Sequence, residues 1–157
     1  MMDYKSLVTP MEENLKKMVV SESDLVDPIM YKQLIRSLMY LVNTRPYVFF
    51  AVSTLSQLMI ESRHEHWIGA KHVLRYLKGI VGYGLKYVLG DEVRLQGYTD
   101  SDWAGSVVNK KSTLGCCFSL GSAMISWMSR KQFFEALNIA KAKYIAANTA
   151  SREVVDF

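Results

Sequence analysis

The stretch LQGYTDSDWAG, residues Leu95–Gly105, decides how the second half of the chain folds. It predicts a short strand that ends on carboxylates. Because side chains alternate along a strand, Tyr98, Asp100 and Asp102 would share one face. A carboxylate at a strand end is a common ligand of a divalent metal ion. The alternative is an ordinary polar turn, in which Asp and Ser side chains bond to their own backbone. The stretch alone leaves both interpretations open.

Length and composition bound the class of protein. The chain has 157 residues, which is one average domain, or one small domain with part of another. Half of the residues are apolar, so a packed core is expected and wholesale disorder is not. Nineteen Lys and Arg against 15 Asp and Glu give a formal charge of +4, which permits a polyanionic partner without requiring one.

The setting expected from the sequence is intracellular, either cytoplasmic or nuclear. Cys116 and Cys117 are adjacent, so they are poorly placed for a mutual disulfide and lack the spacing of metal ligands. Residues 1–17 lack the apolar core of a signal peptide, and no targeting signal is seen. No apolar run is long enough to span a bilayer, so we expect no membrane partner. The oligomeric state is left open.

The first half of the chain has the periodicity of helices. Residues 1–26 are polar and weakly patterned, and they predict an extended linker. Apolar residues at spacings of three and four predict helices over residues 31–44, 48–60 and 64–78. These segments form a compact helical subdomain over residues 27–80. The buried stripe of the third helix is predicted to consist of Trp67, Ala70, Leu74 and Leu77.

Lys71, Arg75 and Lys78 share the opposite face of that third helix. Two interpretations stay open for this basic ridge. It is either a solvated helix face or a surface that follows phosphates, with an affinity that falls steeply with salt. The three histidines nearby lack the spacing of metal ligands and are expected at the surface or as helix caps.

From residue 80 the pattern changes to strands. Strands are predicted over residues 85–89, over the central stretch, and over residues 113–120 and 123–129. Gly121-Ser122 is a two-residue hairpin signal between the last two. The predicted cross-strand pairs are Phe118 with Ile125 and Cys116 with Trp127. A helix follows over residues 138–151, capped by Asn138 and packed through Ala140, Tyr144 and Ala147. The fold class is therefore α+β, with three antiparallel strands followed by a helix.

Taken together, these segments resemble the C-terminal part of a copia-type retrotransposon Pol polyprotein. The matching stretches of the helical half are YKQL (31–34), SLMYL (37–41), Thr44-Arg45-Pro46, AVS (51–53), KHVLRYLKG (71–79) and YGL (83–85). Those of the second half are GYTDSDWAG (97–105), KST (111–113), SW (126–127), KQ (131–132) and YIAA (144–147). In order and spacing they cover nearly the whole chain, so the resemblance is specific.

The resemblance implies a fold and a chemistry. Residues 27–80 would be the thumb and connection end of a reverse transcriptase, with residues 1–26 as linker or connection. Residues 83–157 would begin a ribonuclease H-like domain, of the family's α/β type. That family cleaves the RNA strand of RNA–DNA hybrids by two-metal hydrolysis, with acidic side chains that hold two Mg²⁺ ions. By motif, Asp100 matches the first catalytic Asp and would be a metal ligand.

One departure from the family pattern decides the expected function. The family reads Ser-x-x-Glu-Ala-Glu-Tyr where this chain reads NIAKAKY over residues 138–144. Lys143 stands at the position of the ligand Glu, and Lys141 at that of the capping-box Glu. A charged ammonium has no lone pair to donate to a metal. The family's later acidic ligands are expected beyond residue 157, so the sequence predicts a truncated, degenerate copy that binds no Mg²⁺ and has no nuclease activity.

Three hypotheses follow from the sequence. The first is an inactive polyprotein fragment. The second is a non-catalytic module that binds RNA–DNA hybrid or duplex through the cations Lys71, Arg75, Lys78, Lys110, Lys111, Arg130 and Lys131. The third is a residual hydrolase that recruits Glu135 or Asp102 as a substitute ligand. The third ranks lowest, because a substitute needs both reach and orientation within about half an ångström.

Overall fold

The protein forms two compact units, Met1–Gly84 and Leu85–Phe157. The structure, a computed structural model, describes residues 5–12, 22–88, 93–103 and 111–155. Across these described ranges, no helix is both long enough and apolar enough to cross a membrane.

The first unit is helical, as predicted, with bounds that differ from the sequence periodicity. Its elements are α1 (Pro28–Val42), a 3-10 turn (Pro46–Val48), α2 (Phe49–Ser56) and α3 (His64–Gly79). The helix predicted over residues 48–60 is present but shorter: α2 begins at Phe49, directly after the 3-10 turn, and ends at Ser56. Side-chain hydroxyls compete for the last carbonyls of α2. Ser56 Oγ donates to Ser53 O at 2.7 Å, and this competition weakens a helix end.

Helix α1 contributes one face to the core of the first unit. Asp27 caps its start by accepting the backbone N–H of Ile29 at 2.8 Å. Tyr31, Ile35 and Leu38 are fully buried. The Tyr31 hydroxyl donates to the Leu55 carbonyl at 3.0 Å and joins α1 to α2, while burial raises the pKa of this phenol.

The predicted buried stripe of α3 is confirmed at Ala70 and wrong at its other positions. The structure buries His66, Ala70 and Val73, whereas Trp67, Leu74 and Leu77 are only half-buried. Apolar periodicity does not include a histidine, but His66 can be buried because its Nδ1 accepts the backbone N–H of Arg63 at 3.1 Å.

The second unit is a three-stranded antiparallel sheet with one helix, which confirms the α+β class. Its elements are β1 (Leu95–Ser101), β2 (Thr113–Leu120), β3 (Ala123–Lys131) and α4 (Ile139–Val155), with sheet order β1-β2-β3. The strand predicted over residues 85–89 is wrong, because residues 85–88 form no strand and residue 89 lies outside the described ranges. Side-chain bonds hold this segment instead. Tyr87 Oη donates to Met124 O at 2.8 Å, and Val88 N–H donates to Ser122 Oγ at 3.0 Å.

The β2–β3 hairpin turns where the sequence predicts, but its register differs. Leu120 pairs with Ala123 across Gly121-Ser122, and Gly121 has φ 58°, which favours glycine. The predicted partners of Phe118 and Cys116 are wrong. Phe118 faces Ser126 and Cys116 faces Met128, because a β-bulge leaves Ile125 as an extra residue on β3. Ile125 packs against the core through this bulge.

Helix α4 packs on one face of the sheet. As predicted, Asn138 caps it, with Oδ1 accepting the Lys141 N–H at 2.8 Å. The packing stripe is Ala142, Ala146 and Ala150, not the predicted Ala140, Tyr144 and Ala147. Ala150 forms a core cluster with Cys116 and Phe118. Three alanines on one stripe permit the helix to approach the sheet closely. The predicted packing residue Tyr144 is instead 76% exposed.

Gly97 sits directly opposite Phe118 in this packing, and this geometry predicts a stability effect. A Cβ at position 97 would lie 2.7 Å from the Phe118 ring, which is fully packed. We expect Gly97→Ala to lower the free energy of unfolding by about 1–3 kcal/mol through overpacking. Urea unfolding, followed by circular dichroism, measures the change.

Gly115→Ala is the matched control, since a Cβ there meets nothing within 4 Å. It should leave stability unchanged or slightly raised. Equal losses for the two variants would contradict the close packing of β1 on Phe118.

Candidate metal centre and nucleic-acid interface

The register of β1 places Asp100 on the face away from α4. Asp100 is opposite Gly115, and the flanking Ser101 is opposite Leu114. Directly opposed residues share a face, and Leu114 belongs to the buried side. Ser101 therefore points to the helix side, and Asp100 to the other, where it is exposed.

Lys143 also faces solvent. It follows Ala142, which is fully buried against the sheet, and is itself exposed. Lys141 is likewise exposed in the first turn, where the positive end of the helix dipole disfavours a cation by about 0.3 kcal/mol. Among the described residues, no hydrogen bond or ion pair joins Lys143 to Asp100.

Asp102 has a structural role. Its backbone N–H donates to Thr113 O at 3.1 Å, and its carboxylate Oδ1 accepts the Thr113 N–H. Asp102 therefore extends the β1–β2 pairing past the last strand residue. The second possible substitute ligand, Glu135, is exposed on the connection between β3 and α4.

Within the described residues, Asp100 is not part of a side-chain cluster that could hold a pair of magnesium ions. Hard divalent cations require several oxygen ligands, and two such ions require more than one carboxylate. No group of three or more His, Cys, Asp and Glu side chains capable of holding a metal occurs in the described ranges. Lys143, at the position that the resemblance predicts for a second carboxylate, offers no oxygen donor.

Gln132 is a buried polar residue whose role the sequence did not reveal. It is 2% exposed, its side-chain Nε2 donates to the Ala142 carbonyl at 2.8 Å, and its backbone N–H donates to Ser112 O at 2.8 Å. It thereby joins the end of β3 to the first turn of α4. Its place in the KQ stretch was the available signal, but the pattern indicated only a strand end.

Cys116 is unsuited to nucleophilic chemistry. Burial raises the pKa of its thiol, and the Glu153 carboxylate adds to the increase. Both Cys116 and Cys117 are free thiols.

On α3, two of the three ridge cations are exposed. Lys71 and Lys78 are exposed, and Lys71 Nζ lies 5.1 Å from the centroid of the Trp67 ring, a cation–π contact. Arg75 is half-buried, and its Nε donates to the carbonyl of Lys5 at 3.1 Å.

The described N-terminal segment, residues 5–12, lies along this same helix. His72 Nε2 is 2.9 Å from Thr9 O, and its Nδ1 is 3.6 Å from a Glu12 carboxylate oxygen. A Cβ on Gly79 would lie 3.0 Å from Ser6 Cβ. The sequence indicated a linker here, but part of it contacts the helix that carries the basic ridge.

The remaining predicted cations belong to the second unit. Arg130 is exposed, and Lys111 and Lys131 are half-buried. Lys110 lies outside the described residues. A role for these side chains in nucleic-acid binding stays a prediction, as does that of the ridge.

The contrast between Asp102 and Asp100 gives a testable prediction. Asp102→Ala removes a charge-assisted hydrogen bond at the end of the β1–β2 ladder, so we expect it to lower the unfolding free energy by about 1–2 kcal/mol. Asp100→Ala should change it by less than about 0.5 kcal/mol, because an exposed surface change is usually small. Thermal and urea unfolding of both variants test this, and a larger loss for Asp100→Ala would contradict the assignment.

Known proteins similar to this chain are retrotransposon polyproteins. Over 152 residues, 96% of this chain, it is 39% identical to "Retrovirus-related Pol polyprotein from transposon RE2" of Arabidopsis thaliana. It is 37% identical, over 99% of its length, to the corresponding polyprotein from transposon TNT 1-94 of Nicotiana tabacum. The chain spans only 10% and 12% of these two polyproteins.

A much shorter relative matches as well. "Secreted RxLR effector protein 161" of Plasmopara viticola is 40% identical over 126 residues, which are 80% of this chain and 89% of that protein. No family model and no solved structure matches the chain. The chain belongs to the copia-type retrotransposon Pol polyprotein family.

Proposed function

We propose that this chain is a ribonuclease H-like part of a Pol polyprotein that has lost metal-dependent cleavage. In this proposal, residues 27–80 are the thumb and connection end of the reverse transcriptase. Residues 83–157 are the ribonuclease H-like region, and α4 is its first helix. We infer the loss of activity from one observation: position 143, where the family has a carboxylate ligand, holds the exposed ammonium of Lys143.

The charge change explains why this substitution is severe. Replacing a carboxylate by an ammonium changes the local charge by two units beside a site meant for two divalent cations. It also removes a pair of oxygen donors and supplies none. Asp102 is a poor substitute, since its carboxylate is oriented along the β1–β2 ladder by Oδ1, which accepts the backbone N–H of Thr113. Of the two carboxylate positions, 100 and 143, only Asp100 would then remain as a metal ligand.

Hybrid cleavage tests this proposal. With Mg²⁺ or Mn²⁺ and a labelled RNA–DNA hybrid, we expect no cleavage above that of the matched Asp100→Asn variant. Lys143→Glu, and Lys143→Glu combined with Lys141→Glu, should remain inactive, because the described residues supply no further metal-binding cluster. Metal-dependent cleavage that is lost in Asp100→Asn would contradict the proposal.

A second candidate function is binding of nucleic acid without cleavage. It is supported by the exposed cations of α3, Lys71 and Lys78, which lie two helical turns apart on one face, and by a sequence pI near 9.0. A row of cations with this spacing can follow phosphates and release their counterions. The expected partner is an RNA–DNA hybrid or duplex, and the expected setting is intracellular, cytoplasmic or nuclear.

The salt dependence of duplex binding tells whether the cations of α3 contact phosphates or are only solvated. We expect Lys71→Ala and Lys78→Ala each to weaken duplex binding at low salt and to reduce the slope of log K against log salt by about 0.9. Lys32→Ala, an exposed lysine of α1, is the matched control and should leave the slope unchanged. Fluorescence anisotropy at several salt concentrations measures all three, and equal slopes throughout would exclude the ridge.

A further inference from the structure

The connection between β3 and α4 carries an exposed aromatic pair. Phe133 is 85% exposed and Phe134 is 71% exposed. Their ring centroids are 5.4 Å apart with an interplanar angle of 69°, an edge-to-face arrangement. Two adjacent phenylalanines with this exposure are unusual on a surface, where contiguous apolar side chains commonly mark a binding site.

Buried residues on both sides hold this pair in place. Gln132 immediately precedes it and is fixed by its bonds to Ala142 and Ser112. Ala136 follows it and is 7% exposed. The rings are therefore presented from a segment anchored at both ends, which lowers the entropy lost when a ligand binds.

A third aromatic ring lies at the same connection. Trp103 is 51% exposed, and its indole N–H donates to the Ala136 carbonyl at 3.1 Å. This bond leaves much of the indole accessible while it fixes one edge of the ring. Together, Phe133, Phe134 and Trp103 form an aromatic platform.

Positive charge accompanies the platform. Lys111 Nζ lies 5.7 Å from the centroid of the Phe133 ring. Lys131 is two residues before that ring and Arg130 three, whereas the nearest acidic side chain along the segment is that of Glu135. With Asp102, which directly precedes Trp103, three cations stand against two carboxylates, and this positive excess favours a polyanion over an apolar protein surface as the occupant.

We propose that the aromatic platform binds single-stranded nucleic acid, with unpaired bases stacked on its rings and phosphates beside Lys111 and Lys131. Exposed aromatic rings interleaved with cations are the combination that single-strand binding proteins use, because every base has a π-face. A duplex hides those faces, so this site differs in its ligand from the basic ridge of α3. The inference is independent of whether the chain cleaves hybrids.

Binding of unpaired and paired strands by the full chain tests the proposal. Fluorescence anisotropy would use labelled oligo-dT and oligo-U of about 12 nucleotides, and a blunt duplex of equal length. We expect at least one single strand to bind more tightly than the duplex. The dT and U arms identify whether DNA, RNA or both is the ligand.

Variants of exposed residues then locate the site. Phe133→Leu with Phe134→Leu keeps the apolar bulk but removes the π-faces, and should weaken single-strand binding roughly 5- to 100-fold. Phe133→Tyr with Phe134→Tyr should retain it. The matched control is Leu137→Ala, 79% exposed on the same connection, which should have no effect.

Three results would overturn the proposal. One is that neither single strand binds, or that the duplex binds as tightly as the single strand in the Lys71→Ala, Lys78→Ala double variant, which lacks the basic ridge. Another is an unchanged affinity in the double Leu variant, or an equal loss in Leu137→Ala. The last is concentration-dependent self-association, measured by sedimentation, that disappears in the double Leu variant, since the platform would then be an interface between copies.

Discussion

The antiparallel pairing of Leu95–Ser101 with Thr113–Leu120 determines the rest of the second unit. This register gives each side chain of β1 a face. Gly97 lies against Phe118 on the helix side, where a larger residue would not fit, and Asp100 therefore faces the opposite side. Beyond the strand, Asp102 continues the pairing with its own carboxylate. The two aspartates of one motif thus have different roles because they occupy different positions in the ladder.

The contacts that hold the scaffold are separate from the position at which we propose that the chemistry was lost. Helix α4 is fixed by Asn138 at its cap, by the hydrogen bond that Gln132 donates to its first turn, and by the buried alanines along its length. None of these contacts uses the side chain at position 143, which is exposed. A change from carboxylate to ammonium there would cost the fold little, although under our proposal it removes a metal ligand.

Much of this fold follows from sequence pattern alone. The α+β class, the hairpin at Gly121 and the cap at Asn138 were predictable because each rests on local backbone chemistry. The helix faces were not, since the position of His66 and the alanine stripe of α4 depend on tertiary packing. A single bulged residue, Ile125, shifted the predicted pairing of β2 with β3, and alternation cannot show such an insertion.

The sequence names residues for the candidate site but does not show their surroundings. The motif identified Asp100 and Lys143, whereas only the structure shows that Gln132 anchors the helix before Lys143. The N-terminal segment over α3 was equally hidden, because its contacts run through the backbone carbonyls of Lys5 and Thr9, which carry no sequence signal. Contacts made by the main chain are the part of a surface that side-chain patterns describe least.

Manganese binding tests most directly whether one carboxylate is all that remains of the metal centre. Electron paramagnetic resonance counts free Mn²⁺ as it is titrated into the purified chain, with the Asp100→Asn variant as reference. The account predicts that the two titrations coincide, with no bound ion attributable to Asp100. Two ions bound per chain, both lost in the variant, would contradict it.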